Sequence, residues 1–187
     1  MTVQTKEMPF YTQSGQMCDL GNLKLENIEI TDISGALSKL CRYNGQTSGF
    51  YSVAEHSVIL CRYAQENGMR HELQKALLLH DASEAYVGDV VYHLKGELPY
   101  FKQVEEKILR TIFTKFGVNY DHNMKELSQL DRSICIDEMY QLMPFVDPEL
   151  FSYGHQPLHI DVMCWAPERA QLEFMNEFNR LFGGKNV

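Results

Sequence analysis

The stretch "YFKQVEEKILRTIFTKFG", residues 100–117, carries the strongest constraint on the fold. Val104, Ile108, Ile112 and Phe116 recur every four residues, with charged side chains between them. That spacing lays all four on one stripe of an α-helix, and an apolar stripe has to be covered by another element. Related patterns occupy most of the chain after residue 30. "DISGALSKLCR", 32–42, places Ile33, Leu37 and Leu40 on one face, with Asp32 as N-cap. Residues 51–68 start at Ser52, with Glu55 in a capping-box position, and end at Gly68. Residues 71–86 form the next helix, ahead of Gly88. Residues 122–143 turn Leu127, Leu130, Ile134 and Leu142 inward, and Pro144 stops them. A last helix over 166–184 opens with Pro167 and closes with glycines.

The segment 1–30 has no helical period, although "FYTQSGQMCDL" reads as a short hairpin, and "LFSYGHQPLHIDVMCW", 150–165, reads as loop. The prediction is therefore all-α. A single domain spans 1–187 as a bundle of about six main helices, with the irregular segment 1–30 packed on it.

Charge narrows the function. The chain has 17 basic and 25 acidic residues, a net charge of −8, and no basic stripe of the kind a nucleic-acid backbone demands. No nucleic-acid partner is expected, whereas a small anionic substrate needs only a few local cations. The five cysteines are odd in number and include no Cys-x-x-Cys pair; Cys61 and Cys135 fall in apolar helical patterns. They read as reduced, inert thiols of a cytoplasmic protein. No signal peptide and no membrane span are expected, because the N-terminus lacks an apolar segment and no run reaches about 18 apolar residues.

Within the helices, certain titratable groups sit where apolar residues belong. "LLLHDASEAYVGD", 77–89, runs from three leucines straight into His80 and Asp81, and Glu84 follows one turn later. His56 shares a stripe with Val53 and Leu60; Asp131 shares one with Leu127, Ile134 and Glu138. Taken singly, each has an ordinary explanation: a hydrogen-bonded core histidine, an Asp131–Arg132 pair, a solvated glutamate at a helix end. Taken together, two imidazoles and two carboxylates make an N/O ligand set for a divalent transition metal. Spacing opposes this at one point, since neighbours on a helix point about 100° apart.

The order His56, His80-Asp81, Asp131 resembles the HD-domain metal-dependent phosphohydrolases. The blocks "LCRYNGQT", "YSVAEHSV", "HDASEAYVGD" and "QLDRSICIDEMYQLM" are similar to the small 5′-deoxynucleotidase-like group, which includes phage dATP triphosphohydrolases. The resemblance implies one divalent ion per chain (Co, Mn, Zn, Fe or Ni) on His56, His80, Asp81 and Asp131, with Mg accompanying the substrate phosphates. It assigns catalysis to Glu84 together with His80 and Asp81, with the acid or base role of Glu84 left open. Phosphate binding falls to Arg42 and Lys95, and packing on base or sugar to Tyr43. One departure stands out: the family's Gly-Asp-Ile-Pro-Ser-Pro-Leu-Lys segment is "GDVVYHLK" in this chain, without the prolines that would stiffen it.

The expected activity is hydrolysis of 2′-deoxynucleotides, first as a dNTP (dATP) triphosphohydrolase and alternatively as a 5′-deoxynucleotidase on dNMPs. The resemblance also implies a homo-oligomer, a dimer or a hexamer, in the cytoplasm, which is the host's if a phage encodes it. Two other classes compete. A di-iron oxygenase needs further histidines between the dyad and Asp131, where the chain has only His93 and His122. A non-catalytic nucleotide-binding module would have lost ligands that this chain keeps.

Overall fold

The computed structural model describes residues 7–143, 145, 147 and 154–183. Pro144, residues 150–153 of the expected loop, and Gly184 lie outside the described residues.

The fold is all-α. Among the described residues there are six helices of eight residues or more: α1 (Ile30–Leu37), α2 (Val53–Glu66), α3 (His71–Leu79), α6 (Pro99–Lys115), α7 (Tyr120–Leu142) and α8 (Pro167–Phe182). Two short ones, α4 (Glu84–Val87) and α5 (Tyr92–Gly96), stand between α3 and α6. The expected hairpin is a two-stranded antiparallel ladder, β1 (Pro9–Tyr11) on β2 (Met17–Asp19), with Phe10 opposite Cys18. Among the described residues, no helix is long and apolar enough to cross a membrane.

Helix α2 is the axis of the bundle. From Val53 to Cys61 every residue except Ile59 is buried, including Glu55, His56 and Ser57. It packs against α3 and α8, and α3 in turn against α7 and α8. Leu77, Leu78 and Leu79 are wholly buried, each contributing about 1.5–3 kcal/mol by leaving water. The stripe on α6 is covered as its period requires: Phe116 meets Phe178 of α8 edge-on at 5.1 Å, and Phe178 stacks on Phe182 at 4.4 Å.

A clamp of charges ties α2 to α8. Glu177 accepts from Arg62 Nε and Arg180 Nε, both at 2.7 Å, and Glu173 accepts from Arg62 Nη2 at 2.6 Å. Trp165 is buried beside it, with the Arg62 and Arg169 guanidinium groups 5.7 and 5.1 Å from its ring centre. Through these contacts Trp165 helps tie α8 to α2.

Three local expectations change. Ser52 caps α2 by accepting from Glu55 N at 3.1 Å, but the Glu55 carboxylate turns away from the box. It accepts instead from Met163 N (2.9 Å) and Trp165 N (2.6 Å), pinning that irregular segment to α2. Asp32 is not an N-cap, since α1 begins two residues earlier; its carboxylate accepts from Ser14 N and Oγ, anchoring the hairpin turn. The helix expected over 71–86 stops at Leu79, and that break builds the site.

Candidate metal centre

Past Leu79 the backbone tightens. Ala82 N donates to Leu79 O and Glu84 N to Asp81 O, three-residue bonds at 3.0 and 2.9 Å in place of the four-residue ladder. The His80 side chain claims a helix carbonyl, with Nδ1 donating to Leu77 O at 2.8 Å. This distortion brings the adjacent pair to one point, Asp81 Oδ2 lying 3.2 Å from His80 Nε2. The objection from helix geometry is thus removed by the helix ending.

His56 arrives from α2 with its ring 5.1 Å from that of His80. Its Nδ1 lies 2.6 Å from Glu138 Oε1. Glu138 is ionised: burial opposes this, but Arg42, His56 and Tyr43 hold its pKa down to about 2. Nδ1 of His56 is therefore a donor, as Nδ1 of His80 must be towards a carbonyl oxygen. With both rings neutral, as metal ligation requires, the two Nε2 atoms are left as acceptors, and they face each other at 3.2 Å. Asp131 Oδ1, from α7, lies 3.2 Å from one and 3.6 Å from the other. His56, His80 and Asp131 have ligand atoms mutually within 4.8 Å. Asp81 Oδ2 adjoins them, 3.7 Å from His56 Nε2, and is also 3.4 Å from Arg42 Nη1.

Four electron-pair donors at these separations repel one another unless a cation lies between them. Ligands bound at about 2.1 Å in tetrahedral or octahedral array stand roughly 3.0–3.4 Å apart, close to the spacings here. Imidazole and carboxylate suit a divalent transition metal, and both rings carry the outer hydrogen bond that fixes a metal-binding tautomer. The residues present fit such an ion. Protons respond to the same field. Burial opposes charging of His80, yet Asp81 and Asp131 lift its pKa well above the usual imidazole value. Burial likewise opposes ionisation of Asp131, yet hydrogen bonds from His56 and His80 hold its pKa well below the carboxylate range.

The remaining expected residues surround this cluster. Glu84 is buried; burial first, then Asp81 and Asp89, push its pKa well up. Its Oε1 is 3.5 Å from Lys95 Nζ, and Oε2 has no protein partner. Lys95, at the end of α5, also meets Glu105 at 2.7 Å. Without the stiffening prolines, Tyr92–Gly96 form the short helix α5, which orders the segment that carries Lys95. Arg42 is no surface residue. It is buried with Nη2 3.2 Å from Glu138, while its Nε is buried without a partner. Tyr43, in left-handed backbone at φ 54°, turns its hydroxyl inward to donate to Glu138, so its polar tip belongs to the buried network.

Glu138 is the residue the sequence reading passed over. It is wholly buried and receives Arg42, Tyr43, Tyr51 Oη at 2.8 Å and His56. Its signal lay in the stripe: two turns on from Asp131, a carboxylate occupied an inward position.

Comparison with known proteins agrees with this geometry. Residues 46–134 match the family model described as HD domain. HD domains bind divalent metals, and the family is typically one of metal-dependent hydrolases. The chain is 38% identical over 107 residues to the uncharacterized protein YfdR of Escherichia coli, a match covering 57% of each chain. It is 34% identical over 110 residues to an uncharacterized protein of Rhodobacter capsulatus, covering 56% of each. The chain thus spans a little over half the length of these curated relatives. The HD-domain match contains His56, His80, Asp81, Glu84, Lys95 and Asp131, while Arg42, Tyr43 and Glu138 flank it.

Proposed function

We propose that this chain hydrolyses phosphate from 2′-deoxynucleotides with one divalent metal, as a dNTP (dATP) triphosphohydrolase, and that residues 1–187 act as a single HD-type domain. The observation carrying the hydrolase reading is the pair of imidazole Nε2 atoms facing each other at 3.2 Å, both Nδ1 positions spent as donors, with two aspartates beside them. A cation held by His56, His80, Asp81 and Asp131 supplies Lewis-acid charge neutralisation and activates water at neutral pH.

The chain's own residues do the rest. Arg42 and Lys95 offset charge on the phosphoryl oxygens, Arg42 as a guanidinium and Lys95 as a point charge. Glu84 holds and moves a proton at Oε2, the carboxylate oxygen no protein group uses. Substrate preference follows from the resemblance of the sequence blocks to deoxynucleotide hydrolases.

The test is incubation of protein loaded with Mn²⁺ or Co²⁺ with each dNTP and dNMP, followed by chromatography. The expected products are deoxyadenosine and inorganic tripolyphosphate from dATP. Cleavage confined to dNMPs would make it a 5′-deoxynucleotidase, and no phosphate release from any nucleotide would remove the hydrolase reading.

A further inference from the structure

The charges around the centre are unevenly matched. Carboxylates of Asp81, Glu84, Asp131 and Glu138 gather there. The two cations expected to meet phosphate are already engaged: Arg42 with Asp81 and Glu138 at 3.4 and 3.2 Å, Lys95 with Glu105 and Glu84 at 2.7 and 3.5 Å. A substrate carrying several negative charges needs a further cation at the entrance.

Arg132 is the exposed cation next to the cluster in sequence, and its guanidinium reaches the neighbouring helix α5. It follows Asp131 directly, so its Cα is only about 3.8 Å from that of a residue in the cluster. It is exposed and makes no ion pair with any described carboxylate, so the Asp131–Arg132 pairing considered from the sequence is not formed. Its guanidinium instead lies 5.8 Å from the ring centre of Tyr92, the first residue of α5. That ring is 67% exposed and is met edge-on by His93 at 5.4 Å. The contact joins the two elements that flank the cluster: α7, which carries Asp131, and α5, which carries Lys95. The ring contact restrains the flexible arginine while its N–H donors meet no acceptor among the described residues, an arrangement suited to bidentate binding of a phosphate.

We infer that Arg132, steadied by Tyr92, binds the phosphate groups of the substrate beyond the one that reacts, so that the site reads a polyphosphate tail. This rests on the hydrolase reading and gives it a residue that separates triphosphates from monophosphates.

The test uses the full chain with Glu84→Gln, chosen to slow turnover, alone and combined with Arg132→Ala or Arg132→Lys, with nucleotide integrity checked by chromatography at the end of each measurement. Affinities for dATP and for dAMP are measured with Mn²⁺ by equilibrium dialysis. Arg132→Ala should lower the ratio of dATP to dAMP affinity by about 10- to 100-fold, the worth of hydrogen bonds to a charged group, and Arg132→Lys should restore part of it. A ratio unchanged by Arg132→Ala overturns this inference and leaves the hydrolase reading standing. Failure of the parent variant to bind either nucleotide, with no hydrolysis by the unaltered protein, removes both.

Discussion

Helix α2 carries two polar clusters that resolve charge in different ways. Near its C-terminal end, Arg62 meets Glu173 and Glu177, and Arg180 also meets Glu177. Two guanidinium groups face two carboxylates, and the charges balance. Near its N-terminal end, His56 faces His80, Asp81 and Asp131, and with neutral rings acceptor meets acceptor. The first cluster is complete within the protein and serves to join α2 to α8. The second gathers two imidazoles and two aspartates at one point, and the carboxylates around it outnumber the cations Arg42 and Lys95. Burial alone would not separate them; what separates them is whether the charges balance.

The largest effect that can break this contrast lies at Glu84. Glu84→Gln should lower the rate of hydrolysis by about 10²–10⁴-fold, the range of general acid–base assistance, with metal content unchanged. Equal loss of metal would instead make Glu84 part of the binding shell.

Next comes Glu138. Glu138→Gln keeps the shape but removes the charge that orients His56 and Arg42. Metal affinity, read by competition with a chelator, should fall by about 10- to 100-fold. An unchanged affinity would reduce Glu138 to a packing residue.

How much of this was legible in the sequence depends on how local each signal is. The stripe on α6, the Ser52 cap and Gly68 at φ 64° follow from short-range rules, and the residues were read correctly. His56 and Asp131 were legible because a polar residue interrupted an apolar period. The break after Leu79 was not, because "LLLHDASEAY" has no helix breaker; the turn is imposed when His80 takes the Leu77 carbonyl. Helix α5, Tyr92–Gly96, is too short to show a period. The Glu55 bonds to Met163 and Trp165 join residues more than a hundred positions apart, which no local pattern encodes. Glu138 had a legible position, and only its four converging partners revealed its use.

The clamp should respond to smaller effects and leave the centre alone. Glu177→Gln should cost about 1 kcal/mol of stability by denaturant unfolding, since both arginines are partly exposed and water screens the pairs. Metal stoichiometry should not change; if it did, the two clusters would not be separate.

The pH dependence of that same difference is the smallest expected signal. Burial opposes ionisation of Glu177, but hydrogen bonds from Arg62 and Arg180 lower its pKa below the ordinary glutamate value. A depressed carboxylate stabilises the fold above its unfolded pKa and loses that contribution as pH falls through the folded value. The stability gap between unaltered protein and Glu177→Gln should therefore be constant from about pH 6 upward and close below about pH 4.3, the unfolded reference value. A gap that widened on acidification would contradict the assignment.

Metal stoichiometry tests the central claim most directly. Elemental analysis of the protein after Mn²⁺ or Zn²⁺ loading and desalting should find one divalent ion per chain, absent from His56→Ala and His80→Ala and retained in Glu177→Gln. Two ions per chain, or an ion that survives loss of either histidine, would contradict the assignment of His56, His80, Asp81 and Asp131 to a single centre.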